Sequence, residues 1–254
     1  MKTPDAISSE LKQALRRLKL SPMVETLPER LALARQRKMP HQDFLLTVII
    51  DEVERRDRLS ARNRAQRARL DAQMVLEAWD ATAKVTFDRE LWSELSTLRF
   101  LDSHYHVLIL GPVGVGKTFL ANALGHVACR QGHSVAMLRA EELFKRLRGA
   151  RLDQTHEQEL RRFIRVDLLI IDDFALDPMD AAASHDFYEL VVERHRAGSL
   201  VVTSNRDPQE WLAMMPEPLR AQSAIDRLQN AAYELVIEGE SYRKRQKPRK
   251  RGTK

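Results

Sequence analysis

Apolar residues are spaced in two different ways along this chain. Up to about residue 80 they recur at three- and four-residue intervals, the period of a helix with one buried face. Leu11, Leu15 and Leu18 form one such stripe. Pro22 and Pro28 punctuate the next segment, and Met39-Pro40 closes it. A long helix then begins at Gln42, with Phe44, Leu45, Val48, Ile49 and Val53 on its apolar face. No glycine precedes Gly111, so nothing in this half favours sharp reversals or sheet turns. Residues 88–99 read as a bridging helix with Leu91, Trp92, Leu95 and Leu98 on one side.

Beyond it the pattern becomes short apolar runs separated by helical segments. Tyr105–Leu110, Ser134–Leu138, Val166–Ile171, Ser199–Thr203 and Tyr233–Ile237 are the candidate strands. Such alternation predicts an α/β fold whose parallel sheet is covered on both faces. The expected organisation is a small all-α domain over 1–84, an α/β domain over 85–242, and a basic tail over 243–254. The tail lacks apolar residues, which predicts disorder.

The run His106–Leu110 leads straight into Gly111-Pro-Val-Gly-Val-Gly-Lys-Thr118 and then into the helical pattern Phe119–Arg130. This is a phosphate-binding loop in its required strand–loop–helix setting. Gly111, Gly114 and Gly116 let backbone amides approach phosphates, and the helix N-terminus favours the same anion. Pro112, Val113, Val115 and Phe119 complete the expected ATP-binding stretch. Lys117 reaches toward β- and γ-phosphates, and the Thr118 hydroxyl suits Mg²⁺. About 60 residues on, the strand ending Asp172-Asp173 offers a carboxylate to the metal, Asp172, through water. Asp173 is placed to orient the attacking water. A strand beside the phosphate-loop strand is expected to deliver this pair. Asn205 ends a third strand and is read either as a group that holds water near the γ-phosphate, with Thr203 or Ser204 assisting, or as part of a strand-ending turn with Asp207-Pro208.

Composition narrows the setting. With 43% hydrophobic and 31% charged residues, a soluble globular protein is expected. No apolar run approaches the roughly 20 residues of a membrane helix. Met1–Glu10 has no signal-peptide pattern. Cys129 is the only cysteine, which excludes an internal disulfide and suits the cytoplasm. Net charge is +4 over 1–100, −6 over 101–242 and +8 over 243–254. Positive charge at both ends fits a polyanionic partner, or serves solubility alone. Arg55, Arg56, Arg58, Arg62, Arg64, Arg67 and Arg69 crowd one segment with Asp57 as its only acid. They form either a surface for double-stranded DNA or a solvated helix face paired to Asp51, Glu52 and Glu54. No aromatic ladder or base-reading motif accompanies them, so sequence-tolerant duplex binding through phosphates is the DNA reading.

Gly111–Thr118, Leu168–Phe174, Thr203–Trp211, Ala224–Leu228 and Gly239–Arg243 together resemble the AAA+ ATPases, specifically the IstB-like transposition helper ATPases, close relatives of the DnaC helicase loaders. The approach segment from Phe100 to Leu110 and the small helical N-terminal region are also similar. The resemblance implies a homo-oligomer with ATP sites at subunit interfaces, assembling on target DNA and stimulating a cognate transposase. It implies that Asn205 senses the γ-phosphate, that Arg227 is an arginine finger acting on a neighbouring subunit's ATP, and that Arg243 is a second sensor. Without it, Arg227 reads as an exposed helical arginine and Arg243 as the start of the tail. Asp173 departs from the Asp-Glu pair of many relatives in the wider class; its shorter side chain predicts slow hydrolysis. Two other readings share the loop. One is a DnaC-type replicative helicase loader; the other is a small-molecule kinase, which the Asn205 and Arg227 segments fit poorly.

Overall fold

The computed structural model describes residues 7–242. The chain divides into two compact units, residues 1–60 and 61–254. The first contains α1 (Ser9–Arg17), α2 (Met23–Gln36) and most of α3 (His41–Arg67), within which the division falls. Ser8 caps α1 by accepting from the Leu11 amide (3.1 Å). Leu15, Met23, Leu27 and Val48 form this unit's core, and Phe44 packs against it. Arg30 and Asp51 tie α2 to α3 at 2.6 Å.

The expected apolar stripes are only partly used. Leu11 and Leu18 are exposed while Leu15 is buried, and on α3 Leu45, Ile49 and Val53 are exposed. Phe44 and Val48 are one turn apart and face the core; Leu45, Ile49 and Val53 lie on the next stripe round, which this small unit leaves uncovered. Pro28 does not interrupt α2 but sits inside it. Reversals also occur without glycine: Lys19, Lys38 and Arg69, just beyond α1, α2 and α3, take left-handed backbone angles (φ 58°, 47° and 63°).

The second unit begins with a segment that includes β1 (Val85–Thr86), followed by α4 (Arg89–Ser96) and α5 (Arg99–Asp102). Then come β2 (His106–Leu110), α6 (Lys117–Arg130), β3 (Val135–Arg139), α7 (Ala140–Leu152), α8 (His156–Ile164) and β4 (Leu168–Asp172). It closes with α9 (Ala181–Arg194), β5 (Ser199–Ser204), α10 (Pro208–Trp211), α11 (Pro218–Asn230), β6 (Ala232–Val236) and β7 (Glu238–Gly239). The five long strands form a parallel sheet in the order β3-β4-β5-β2-β6. β1 and β7 make a separate antiparallel pair.

The continuous apolar runs follow from burial on both faces. Leu108, Leu110, Leu169, Ile171, Leu200 and Val202 point into one core with α7, α8, α9 and α11. Val107, Ile109, Leu168, Ile170 and Val201 point into the other with α4, α5 and α6. Ala65, Ala68, Leu70 and Val85 belong to that second core. Residues 61–84 therefore pack with the sheet, and the expected boundary at 84 falls inside the second unit.

Two polar anchors brace the helices. Asp186 accepts from both terminal nitrogens of Arg151 (2.6 and 2.7 Å) and lies 2.8 Å from His156 Nε2, joining α7, α8 and α9. Arg194 is fully buried and, among the described residues, donates only to main-chain carbonyls, those of Phe163, Ile164, Val166, Asp167 and Ser199 (2.6–3.1 Å). Burial lowers its guanidinium to about 10. Among the described residues, no helix is long and apolar enough to cross a membrane.

Candidate nucleotide-binding site

The C-terminal tips of β2, β5 and β4 lie side by side, and the sequence-predicted groups converge there. After Leu110 the chain loops from Gly111 to Gly116 and enters α6 at Lys117. Gly111 and Gly116 have φ of 143° and 109°, angles that side-chain-bearing residues seldom take. A Cβ on Gly111 would also lie 2.1 Å from the Ile237 carbonyl oxygen. Lys117 is 6% exposed. Its ammonium donates to the carbonyls of Gly111 and Pro112, both at 2.8 Å, so it is held across the mouth of the loop.

Asp172, 2% exposed, accepts from the Thr118 hydroxyl (2.9 Å) and the Thr203 hydroxyl (2.6 Å). Burial raises its carboxyl above the ordinary range, opposed by the Thr203 hydrogen bond; the neighbouring charge of Asp173 raises it further. A buried carboxylate with two hydroxyl donors suits a hard divalent cation, which would favour its ionised form. Thr118 and Asp172 are thus the groups able to hold Mg²⁺.

The strand carrying Asp172 is not beside β2, as the sequence suggested. β5 lies between them, and its end supplies Thr203, Ser204 and Asn205. Thr203 also accepts from the Asp173 amide (3.0 Å), so one hydroxyl connects both acidic residues. Asp173 and Ala175 are left-handed (φ 54° and 55°), a strained loop for residues with side chains. It is clamped from β5 and the turn after it. The Phe174 amide donates to the Thr203 carbonyl (2.8 Å) and Ser204 Oγ to the Phe174 carbonyl (2.8 Å); Arg206 Nε donates to the Ala175 carbonyl (3.0 Å). Trp211 Nε1 lies 3.1 Å from Ser204 Oγ, and the Phe174 ring packs against Trp211 and Phe187 (centroids 4.7 and 4.4 Å). The string Thr203-Ser-x-Arg206…Trp211 is therefore a clamp on the Asp173 loop. Sequence reading singled out Asn205 here, but its side chain is exposed and has no hydrogen-bond partner among the described residues. Arg206 and Trp211 were missed as functional groups, although their fixed spacing after an apolar strand was visible.

The family of IstB-like ATP binding proteins matches residues 13–250. The chain belongs to that family. It is 38% identical over 239 residues to an ATP-binding protein of a Mycobacterium tuberculosis insertion sequence, covering 94% of this chain and 95% of that one. It is 32% identical over 238 residues to the ATP-binding protein of the Pseudomonas aeruginosa insertion sequence IS21, covering 94% and 90%. Among solved structures it resembles DnaI (TM-score 0.56, 23% identity, 65% of this chain and 90% of that one). It also resembles AMPPCP-bound DnaA of Aquifex aeolicus (TM-score 0.53, 22% identity, 65% and 50%). These likenesses establish a P-loop AAA+ fold.

In this IstB-like chain the end of the described polypeptide returns to the loop. The Ile237 amide donates to the Leu110 carbonyl and the Tyr242 amide to the Gly114 carbonyl, both at 2.8 Å, and the Glu240 amide to the Lys84 carbonyl (3.1 Å). Arg243, the residue after Tyr242, and the basic tail lie outside the described residues. Arg227 sits in the last turn of α11, bonded to Ser223 Oγ (2.8 Å) and 6.0 Å from the Tyr188 ring centroid. It is not brought to the phosphate loop of its own chain by these contacts.

The seven arginines are not equivalent. Arg55 and Arg56 both bind Glu52 at 2.7 Å, and the Arg55 hydrogen bond is the chief reason that carboxyl falls to about 2. Arg58 pairs loosely with Glu54 (3.9 Å). Arg64 Nε caps the carbonyl of Cys129 near the end of α6 (2.8 Å), and Arg69 binds Glu142. Arg62 and Arg67 are exposed and have no ion-pair or hydrogen-bond partner among the described residues.

Proposed function

We propose that this protein is a Mg²⁺-dependent ATPase that assembles on double-stranded DNA and recruits or stimulates the transposase of an insertion sequence. The observation that carries the catalytic part is the convergence of Lys117, Thr118, Asp172 and Thr203 at three adjoining strand tips. Loop amides and Lys117 bind the phosphate chain. Thr118, by its hydroxyl, and Asp172, by its carboxylate, would hold the cation. When bound, Mg²⁺ would neutralise charge on the phosphate chain. Asp173 orients the attacking water, and its short side chain makes hydrolysis slow. Asn205, exposed at the β5 tip, senses the γ-phosphate. Arg227 acts on the ATP of a neighbouring subunit, which makes hydrolysis depend on assembly. Arg243 is a second sensor, and the Tyr242–Gly114 contact one residue earlier supports that role.

Insertion-sequence relatives favour transposition over helicase loading. For DNA, Arg62 and Arg67 have the freest guanidinium groups, with Arg58 next; Arg55, Arg56, Arg64 and Arg69 serve structure first. The helical N-terminal region and basic tail add the remaining contacts to DNA or transposase. Phosphate release measured with and without duplex DNA, alongside electron microscopy with a slowly hydrolysed ATP analogue, tests the proposal. DNA should stimulate release and the analogue should drive assembly, both lost in Lys117→Ala. A DNA-indifferent activity would point to a small-molecule kinase instead, and assembly by the variant would remove nucleotide as the controlling ligand.

A further inference from the structure

The segment between α3 and β1 is laid along α6. The Asp71 amide donates to Asn122 Oδ1 (2.9 Å), and His126 Nε2 lies 2.8 Å from the Asp71 carbonyl. This strap delivers Trp79 to the phosphate loop. A Cβ on Gly116 would come within 3.0 Å of indole atoms Cη2 and Cζ3. Phe87 and Phe119 stand edge-on to the same indole, with centroids 5.8 and 5.2 Å away. Indole Nε1 is buried and has no hydrogen-bond partner among the described residues. Core packing accounts for the aromatic trio and encloses the Nε1 edge, but the indole as a whole is only partly buried and its Cη2–Cζ3 edge is the one turned to the loop.

The position of the indole relative to a nucleotide follows from the loop itself. Lys117 marks the β/γ end of the phosphate chain, while the backbone amides cradle the α- and β-phosphates. Gly116 and Phe119 bracket the start of α6, the end at which sugar and base must continue. A planar nucleobase arriving there meets the indole and the Phe119 ring.

We infer that Trp79 is the base-contact residue of the site, its indole ring packing on the nucleobase. The inference rests on the reading of the loop as a nucleotide site, and ligands with and without a base separate the two. Calorimetry of the full chain in Mg²⁺ would compare ATP with inorganic tripolyphosphate. Trp79→Ala should weaken ATP on the order of tenfold, typical for loss of one base–aromatic contact. Tripolyphosphate should change less than about twofold, which also shows that the variant folds. Trp79→Phe should retain most of the ATP affinity. Equal losses for both ligands would make Trp79 a structural prop of the loop and overturn the inference, as would unchanged ATP binding. Wild-type protein that binds tripolyphosphate as tightly as ATP would overturn the base contact alone. Binding of neither ligand would overturn the nucleotide reading with it.

Discussion

Replacing His106 with asparagine isolates one proton's effect on the stability of the sheet. His106 opens β2 and has no solvent-exposed surface. Its Nδ1 accepts from the Leu200 amide (3.1 Å), which ties β2 to β5 and fixes the proton on Nε2. Burial, then the charges of Arg194 and His195, push its pKa from 6.5 down to about 4. An unfolded chain takes up the proton near pH 6.5, whereas the native chain refuses it until about pH 4. Between those values the unfolded state binds more protons, so stability falls as pH falls. Linkage gives a loss of about 2 kcal/mol by pH 5 and about 3 kcal/mol by pH 4, relative to pH 7.5 or above. Asparagine places an oxygen at the δ position, where it can still accept from Leu200, and does not titrate. The assay is urea unfolding at pH 7.5, 5 and 4. Trp79, Trp92 and Trp211, the three tryptophans, all lie in the second unit, so intrinsic fluorescence reports that unit. His106→Asn will cost a constant amount from lost packing, but the gap to wild type should shrink by those figures as pH falls. A gap that stays constant to within about 0.5 kcal/mol would refute the buried, neutral assignment.

Arg206→Ala frees the Ala175 carbonyl and loosens the left-handed Asp173 loop; kcat for ATP hydrolysis should fall roughly tenfold with KM within about twofold. Arg206→Lys should restore part of it, and equal losses in kcat and ATP binding would argue for a general structural role. Exchanging Arg62 and Arg67 for alanine should flatten the salt dependence of duplex DNA binding by up to about two units of log–log slope. Arg64→Ala should leave that slope nearly unchanged and instead destabilise the second unit by about 1 kcal/mol in urea unfolding, because it caps a main-chain carbonyl. Identical slopes for all three proteins would remove these side chains from the DNA surface.

Strand positions were legible because both sheet faces are covered, which leaves uninterrupted apolar runs such as Val107–Leu110 and Leu168–Ile171. The phosphate loop was legible because its glycines and Lys117 have few substitutes. Strand order was not, since local sequence does not reveal that β5 enters between β2 and β4. The strap over α6 escaped notice for a different reason: Ala65 and Ala68 are too small to mark an apolar face, Leu70 follows them without a sustained period, and their partners lie far along the chain. Thr203 was only an auxiliary candidate because its double contact with Asp172 and Asp173 exists only once two strands meet. The arginine segment looked uniform as a string, but helical rotation sends Arg64 inward to Cys129 and Arg62 and Arg67 outward.

The hydrogen bonds of Arg194 read the shape of the backbone and no side chain. All five of its acceptors are peptide oxygens, which every amino acid carries. Positions 163, 164, 166 and 199 can therefore change identity, as far as this cation is concerned, without loosening its grip, whereas at 167 the carboxylate of Asp167 also favours the charged form. A conservative lysine in its place could not span five carbonyls with one ammonium. Natural variation should accordingly be wide around this residue and narrow at it, a signature that a catalogue of side-chain pairs would overlook.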